Sequence, residues 1–423
     1  MKGRRSDAGE GSLSYIAVVL LIAGIAGAVT LSGVGATVVG DIRAAVCKVG
    51  DDDCETEPRV FANNPPSEQE WGNRPTDPGQ PPPAPTDDER KTGKEAADRI
   101  RDYLGSACAW WRVWKWGCDG TRAPRDLLAG MSPGEIQALF DELSDAEIRR
   151  LLREPGVVDV LKLRADAWLL HQLERIAPGS IEPNFTEVYE DEKSDNPATA
   201  WGSVPNARLW GNGGQPSLED LNQGGLGDCW WLAGMGALAQ TPEGRERLRN
   251  MIRQNPNGTY TVTFPDGERV TVTPYFPINK DGNLSFANPE GQPPTIWPLV
   301  LEKALAQKEG GYEEIVGGDP GNGMETLTGH DSESEDADDV SREDLQNWLR
   351  NGKAVTVSTK DEGDVDGKPI YKNRLHANHA YVVKGITQDG KVELYNPWGY
   401  DHATLTMEEF NQYLSGVDIS SFE

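Results

Sequence analysis

The chain has 423 residues, with 68 acids against 41 bases and a formal net charge of −27. That balance argues against nucleic acid as a partner and for a strongly solvated surface, while the length exceeds one small domain and allows an ample buried core. The five cysteines divide as Cys47 with Cys54, Cys108 with Cys118, and Cys229 alone. In an exported chain that reads as two local disulfides and one free thiol.

Residues 11–40 carry no charge, a run long enough to span a bilayer, and include an unbroken apolar stretch from Ile16 to Val29. Lys2, Arg4 and Arg5 precede it and Asp41 follows. The positive-inside rule then puts the N-terminus in the cytoplasm and the remainder outside. The expectation is a single-pass cell-membrane protein anchored by residues 1–45, with cleavage as a signal peptide and secretion as the rival. The Gly/Ala/Val-rich run is also similar to bacterial pilin-type N-terminal helices. Residues 46–90, with Gln80-Pro81-Pro82-Pro83-Ala84-Pro85, form a linker too proline-dense and acidic to pack. Residues 91–190 turn helical: Ser132-Pro133-Gly134-Glu135 and Ser144-Asp145-Ala146-Glu147 both read as capped helix starts. The aromatic cluster Trp110-Trp111-Arg112-Val113-Trp114-Lys115-Trp116 reads as a core anchor rather than an exposed contact surface.

Chemistry enters at Gln223-Gly224-Gly225-Leu226-Gly227-Asp228-Cys229-Trp230-Trp231-Leu232. The glycines allow close backbone approach to a substrate, and Cys229 falls in the first turn of a helix through Leu232, Met235 and Ala239, where the dipole favours thiolate. The Cys229 N–H and the Gln223 side-chain amide are candidates to hold an oxyanion. A base follows in Asn378-His379-Ala380-Tyr381-Val382-Val383, at the mouth of a β-branched strand. The next strand, Lys391-Val392-Glu393-Leu394-Tyr395, ends in Asn396-Pro397-Trp398-Gly399, so a hairpin returns Asn396 beside His379. Asn396 would fix the imidazole tautomer, and Trp398 would shield that bond from water. His376 competes for the base role but lies in the loop; His171, His330 and His402 read as surface or structural histidines. Chain order Cys, His, Asn is that of papain-like proteases.

The segments Gln-Gly-Gly-Leu-Gly-Asp-Cys-Trp, Asn-His-Ala-Tyr and Asn-Pro-Trp-Gly resemble the three catalytic motifs of calpains. Residues 297–306 with the turn 310–318, and residues 403–414, resemble two further core segments of that family, so the resemblance covers residues 195–423. It implies an α+β, papain-like two-lobe cysteine protease of bacterial type, with a helical lobe at 191–330 carrying Cys229 and a β-rich lobe at 331–423 carrying His379 and Asn396. The implied activity is peptide-bond hydrolysis through a thioester acyl-enzyme, on protein or peptide substrates, with residues 91–190 a candidate inhibitory prosegment. Two alternatives are thiol-dependent amide transfer or deamidation, and an adhesin or toxin-like surface protein whose protease core processes its own chain. The chemistry needs no cofactor. Calcium is a family trait: Asp220 matches a calcium-ligand position, but Asn322 stands where the family places a glutamate, with Glu325 the nearest acid. The acidic runs 331–339 and 361–366 lack EF-hand spacing and read as solvated loops.

Overall fold

The computed structural model describes residues 78–105, 123–186, 188, 197–211, 213–361 and 375–422. All of these belong to a compact unit spanning Ala62–Glu423. No helix among the described residues is long and apolar enough to cross a membrane. The apolar run 11–40, the tryptophan cluster 110–116, and Cys47, Cys54, Cys108 and Cys118 lie outside the described residues.

The helical region consists of α1 (Asp87–Gly105), α2 (Pro124–Ala129), α3 (Pro133–Glu142), α4 (Asp145–Leu151), α5 (Val157–Arg164) and α6 (Ala167–Ile176). Both expected capping boxes form. Ser132 and Ser144 each accept from the backbone of the glutamate three residues on, and Glu135 and Glu147 reach back to the cap N–H groups. The helices close on Ile100, Leu128, Ile136, Leu139, Leu151, Leu161 and Leu170, all essentially without solvent exposure.

The second half begins with β1 (Ala200–Ser203) and continues through α7 (Cys229–Gln240), α8 (Pro242–Met251), β2 (Ile252–Gln254), β3 (Tyr260–Thr263), β4 (Arg269–Val272), β5 (Tyr275–Ile278) and α9 (Trp297–Glu309). After α10 (Pro320–Thr328) come β6 (Ser332–Asp336), α11 (Arg342–Arg350), β7 (Ala354–Thr359), β8 (Ala380–Ile386), β9 (Val392–Tyr395), β10 (Ala403–Leu405), α12 (Met407–Tyr413) and β11 (Leu414–Ser420). The strands β2, β3 and β4 make a small antiparallel sheet, β1 pairs with β5, and the remaining strands form a six-stranded antiparallel sheet in the order β10-β9-β8-β7-β11-β6.

Helix α7 is apolar on every side, and accordingly it is the buried central helix of this half, packed on α10, β7 and β8. Gly236 makes the approach to β8 close enough to work. A Cβ there would stand 2.9 Å from Val382 and 2.7 Å from Leu221. Part of the acidic run at 331–339, expected as a loop, forms the edge strand β6. Its pairing to β11 satisfies one side, and its exposed acids suit an edge that must not recruit another strand.

The helical region docks on the side of α9 and the small sheet. Asn257, in the β2–β3 turn, donates to the carbonyls of Lys162 and Ala165 at 2.9 Å each, satisfying groups that the end of α5 leaves without helical partners. The connecting segment is pinned by a buried ion pair, Glu182 to Lys303 at 2.6 Å, both side chains fully enclosed. Lys303 also donates to Thr273 Oγ1 at 2.8 Å and to the Tyr275 carbonyl at 2.5 Å, so the charge is saturated with acceptors.

Candidate active site

Cys229 opens α7, half-buried, at the end of the loop Asn222–Asp228. That loop is tied to its surroundings by backbone bonds. Gln223 N–H donates to the Pro397 carbonyl at 2.9 Å, Gly225 N–H to Ser285 at 2.7 Å, and Gly317 N–H to Gly227 at 2.8 Å. Glycine at 224 is compulsory, since a Cβ would lie 2.0 Å from the Phe286 carbonyl oxygen.

Facing the loop, His379 stands at the entry to β8. Thr359, the last residue of β7, holds it from both sides: its hydroxyl accepts from His379 N–H at 2.9 Å and bonds the His376 carbonyl at 2.7 Å, and its own N–H donates to the His379 carbonyl at 3.0 Å. The β8–β9 hairpin brings Asn396 back as expected. Its Oδ1 lies 2.9 Å from His379 Nε2 and also accepts the Trp398 N–H at 3.0 Å. Because Trp398 N–H can only donate, the Asn396 atom is the oxygen, and His379 Nε2 must carry the proton. Nδ1 is then the nitrogen left to exchange a proton with a thiol. Asn396 has no solvent exposure, and the Trp398 ring lies 4.7 Å from the imidazole, covering the pair.

The two walls meet in one cleft of about 540 Å³, lined among others by Gln223, Gly225, Cys229, Gly317, Thr359, His379, Trp398 and Tyr400. Every lining residue falls between 223 and 400, so among the described residues none of the helical region lines this cleft.

Charge states follow from burial. Desolvation pushes the Cys229 thiol up, although backbone N–H groups of Ala380, Trp230 and Cys229 itself favour the thiolate, and the Asp228 carboxyl adds to the rise. Desolvation likewise brings His379 down to about 4, against the Asn396 bond, which supports the protonated ring. Burial therefore opposes the helix dipole: the thiolate that the helix start favours in sequence gives way to a neutral thiol facing a neutral imidazole.

Other sequence expectations fare differently. Gln223 lines the cleft, but its side-chain nitrogen donates to the Leu226 carbonyl at 2.7 Å and to Asp228 Oδ1 at 3.3 Å. Both amide hydrogens are thus engaged inside the loop rather than presented to an oxyanion. Asp220 is also consumed by the fold: its Oδ2 accepts from Trp297 Nε1 at 2.7 Å and from Ser217 N–H at 2.9 Å. Glu325 accepts from Ser332 N–H, and Asn322 is exposed on α10. No group of three or more His, Cys, Asp or Glu able to hold a metal occurs among the described residues. The residues present do not fit a calcium site at Asp220.

His376 packs on Trp398, with ring centroids 4.2 Å apart, and its Nε2 lies 3.8 Å from Asp401. Two supporting residues escaped sequence reading. Thr359 gave no signal, being one more β-branched residue at a strand end. His402 accepts the Asn396 N–H through Nδ1 at 3.1 Å and stacks on Tyr395; its place six residues after the asparagine was the available clue.

A cysteine at a helix start, across a cleft from a buried histidine–asparagine pair, is the arrangement of papain-type thiol hydrolases. Comparison with known proteins narrows the class: residues 203–405 match the calpain family cysteine protease. Calpain-8 of Mus musculus is 30% identical over 202 residues, covering 44% of this chain and 28% of that protein. The calpain-1 catalytic subunit of Gallus gallus is 27% identical over 226 residues, covering 50% and 32%, and the human calpain-2 catalytic subunit is 30% identical over 202 residues, covering 44% and 29%. The chain spans less than a third of the length of each. Over residues 203–405 it carries a calpain-like cysteine protease core.

Proposed function

We propose that this core is an endopeptidase acting on polypeptides, with Cys229 as nucleophile, His379 as base and then acid, and Asn396 as the group that orients the imidazole. The observation that supports it most is the 2.9 Å His379–Asn396 bond, enclosed behind a cleft whose opposite wall carries the only described cysteine. With Nε2 committed to Asn396, His379 Nδ1 takes the thiol proton as sulfur attacks the scissile carbonyl. The oxyanion forms beside the Cys229 N–H at the start of α7, which has no helical acceptor. Nδ1–H then protonates the leaving amine. The remaining thioester is hydrolysed by water that gives its proton to the same nitrogen.

The uncharged run 11–40 supports a second part of the proposal, that the chain is anchored in the cell membrane with its core on the extracytoplasmic side. There Cys47 with Cys54 and Cys108 with Cys118 pair while Cys229 stays reduced. Protease added to intact cells should remove the core; a core protected until lysis, with all five thiols free to alkylation, would refute this placement. The catalytic reading is tested by incubating the full chain with an unfolded protein substrate and weighing the products. Chain fragments with free termini are expected. Intact substrate whose glutamine side chains have become glutamate would show deamidation instead.

A further inference from the structure

Directly beneath the cleft lie two carboxyl groups withdrawn from solvent. Asp228 has no solvent exposure and Glu302, on α9, has 1%. Glu302 feels the charge of Asp228, and Asp228 Oδ2 finds no donor elsewhere in the fold. Neither is needed for the chemistry proposed above, and a like-charged pair in the interior costs too much to persist without a purpose or a shared proton.

Their other bonds identify what they hold. Asp228 Oδ1 accepts from the Gln223 side chain at 3.3 Å, and Glu302 Oε1 accepts the Ala287 N–H at 3.0 Å. Ala287 belongs to the segment whose Ser285 carbonyl receives Gly225 N–H and whose Phe286 carbonyl stands against Gly224. One carboxyl pair thus joins three pieces of backbone: the Gly-rich loop, the 285–288 segment and α9. Asp228 is also the residue immediately before Cys229.

We propose, resting on the thiol-peptidase reading, that Asp228 and Glu302 are positioning residues: a hydrogen bond between them fixes the Gln223 amide and the loop that aims Cys229 and its N–H at the reacting carbonyl. Burial raises both groups, Asp228 to about 7 and Glu302 well above its ordinary range, so the pair retains a proton at neutral pH. The groups facing the pair do not supply a counter-charge. The Tyr312 phenol is itself pushed up by burial and by these acids, and Lys303, next to Glu302 on α9, is turned to Glu182.

The test uses the full chain with Glu302→Ala, Glu302→Gln, Gln223→Ala and the Glu302→Ala/Gln223→Ala double variant. Glu302→Ala and Gln223→Ala should each lower kcat about 10²-fold with little change in KM, on the scale of disturbing one oxyanion-site element. Glu302→Gln keeps a donor for Asp228 and an acceptor for Ala287, and should recover most of the rate. The double variant should lose no more than either single, because both act through one unit. Losses that multiply to about 10⁴, a wild-type rate in Glu302→Ala, or a folded Glu302→Gln as impaired as the alanine variant would each overturn the proposal. If Glu302→Ala does not fold, Asp228→Ala replaces it in the cycle. Alkylation of Cys229 by iodoacetamide separates this proposal from the peptidase reading. Even with no substrate cleaved, Glu302→Ala should change the alkylation rate and Glu302→Gln should not; equal rates in all three proteins would overturn it.

Discussion

His379 enters and Asn396 leaves the β8–β9 hairpin at its open end, where their side chains meet at 2.9 Å with Asn396 wholly enclosed. The second bond to Asn396 Oδ1, from Trp398 N–H, locks the amide orientation, so the imidazole tautomer is fixed by the backbone of the turn. Asn396→Ala removes orientation but leaves the nucleophile and base. Steady-state kinetics should show kcat about 10-fold to 10²-fold lower, the scale of one lost hydrogen bond at a reacting group, with a folded protein by circular dichroism. An unchanged kcat would remove Asn396 from the site.

The neutral resting pair has a direct signature. With the Cys229 thiol pushed up and His379 brought down to about 4, both by burial, no thiolate is held in reserve at neutral pH. The iodoacetamide rate at Cys229 should therefore climb steadily with pH through and beyond the ordinary thiol range. A rate already at its plateau in mildly acidic solution would show a preformed ion pair instead.

Asp418, on β11, links stability to pH. Burial first, and then the charges of Asp319 and Glu325, raise it from 3.8 to about 6, while Ser334 donates to it at 2.6 Å. The folded state therefore binds this proton more tightly than the unfolded state. The resulting stabilisation is present below pH 3.8 and is lost as pH rises through about 6. Asp418→Asn keeps an acceptor for Ser334 without the charge. Urea unfolding should find it more stable than the parent by up to about 3 kcal/mol at pH 7.5 and equal to it at about pH 3. A pH-independent difference would contradict the assignment.

Calcium control is absent from the proposed mechanism, because Asp220 is occupied by Trp297 and Ser217 and the partner position is an exposed asparagine. Peptidase activity should be the same in a calcium chelator as in millimolar calcium. Activation that Asp220→Asn abolishes would restore the site.

What could be read from the sequence was what lies close together along it. Cys229 at a helix start, His379 at a strand mouth and Asn396 at a hairpin return are each local patterns, and a two-strand hairpin leaves few places for Asn396 to go. The engagement of Gln223, the Asp228–Glu302 pair and the clasp of Thr359 were not readable, because each depends on a tertiary contact or on a side-chain rotamer. Electrostatics misled for the same reason. A helix N-terminus is visible in sequence, whereas the burial that outweighs its dipole appears only once β8 packs against the helix that Cys229 opens.

The central claim is that Cys229 is the nucleophile of a peptidase. Its most direct test is treatment of the active full chain with a thiol-directed epoxide, followed by peptide mapping of the label and assay of Cys229→Ala against the same protein substrate. One label on Cys229, formed as activity is lost, with no cleavage by the alanine variant, is the predicted result. Label on Cys47 or Cys108 in place of Cys229, or wild-type cleavage by Cys229→Ala, would contradict the account.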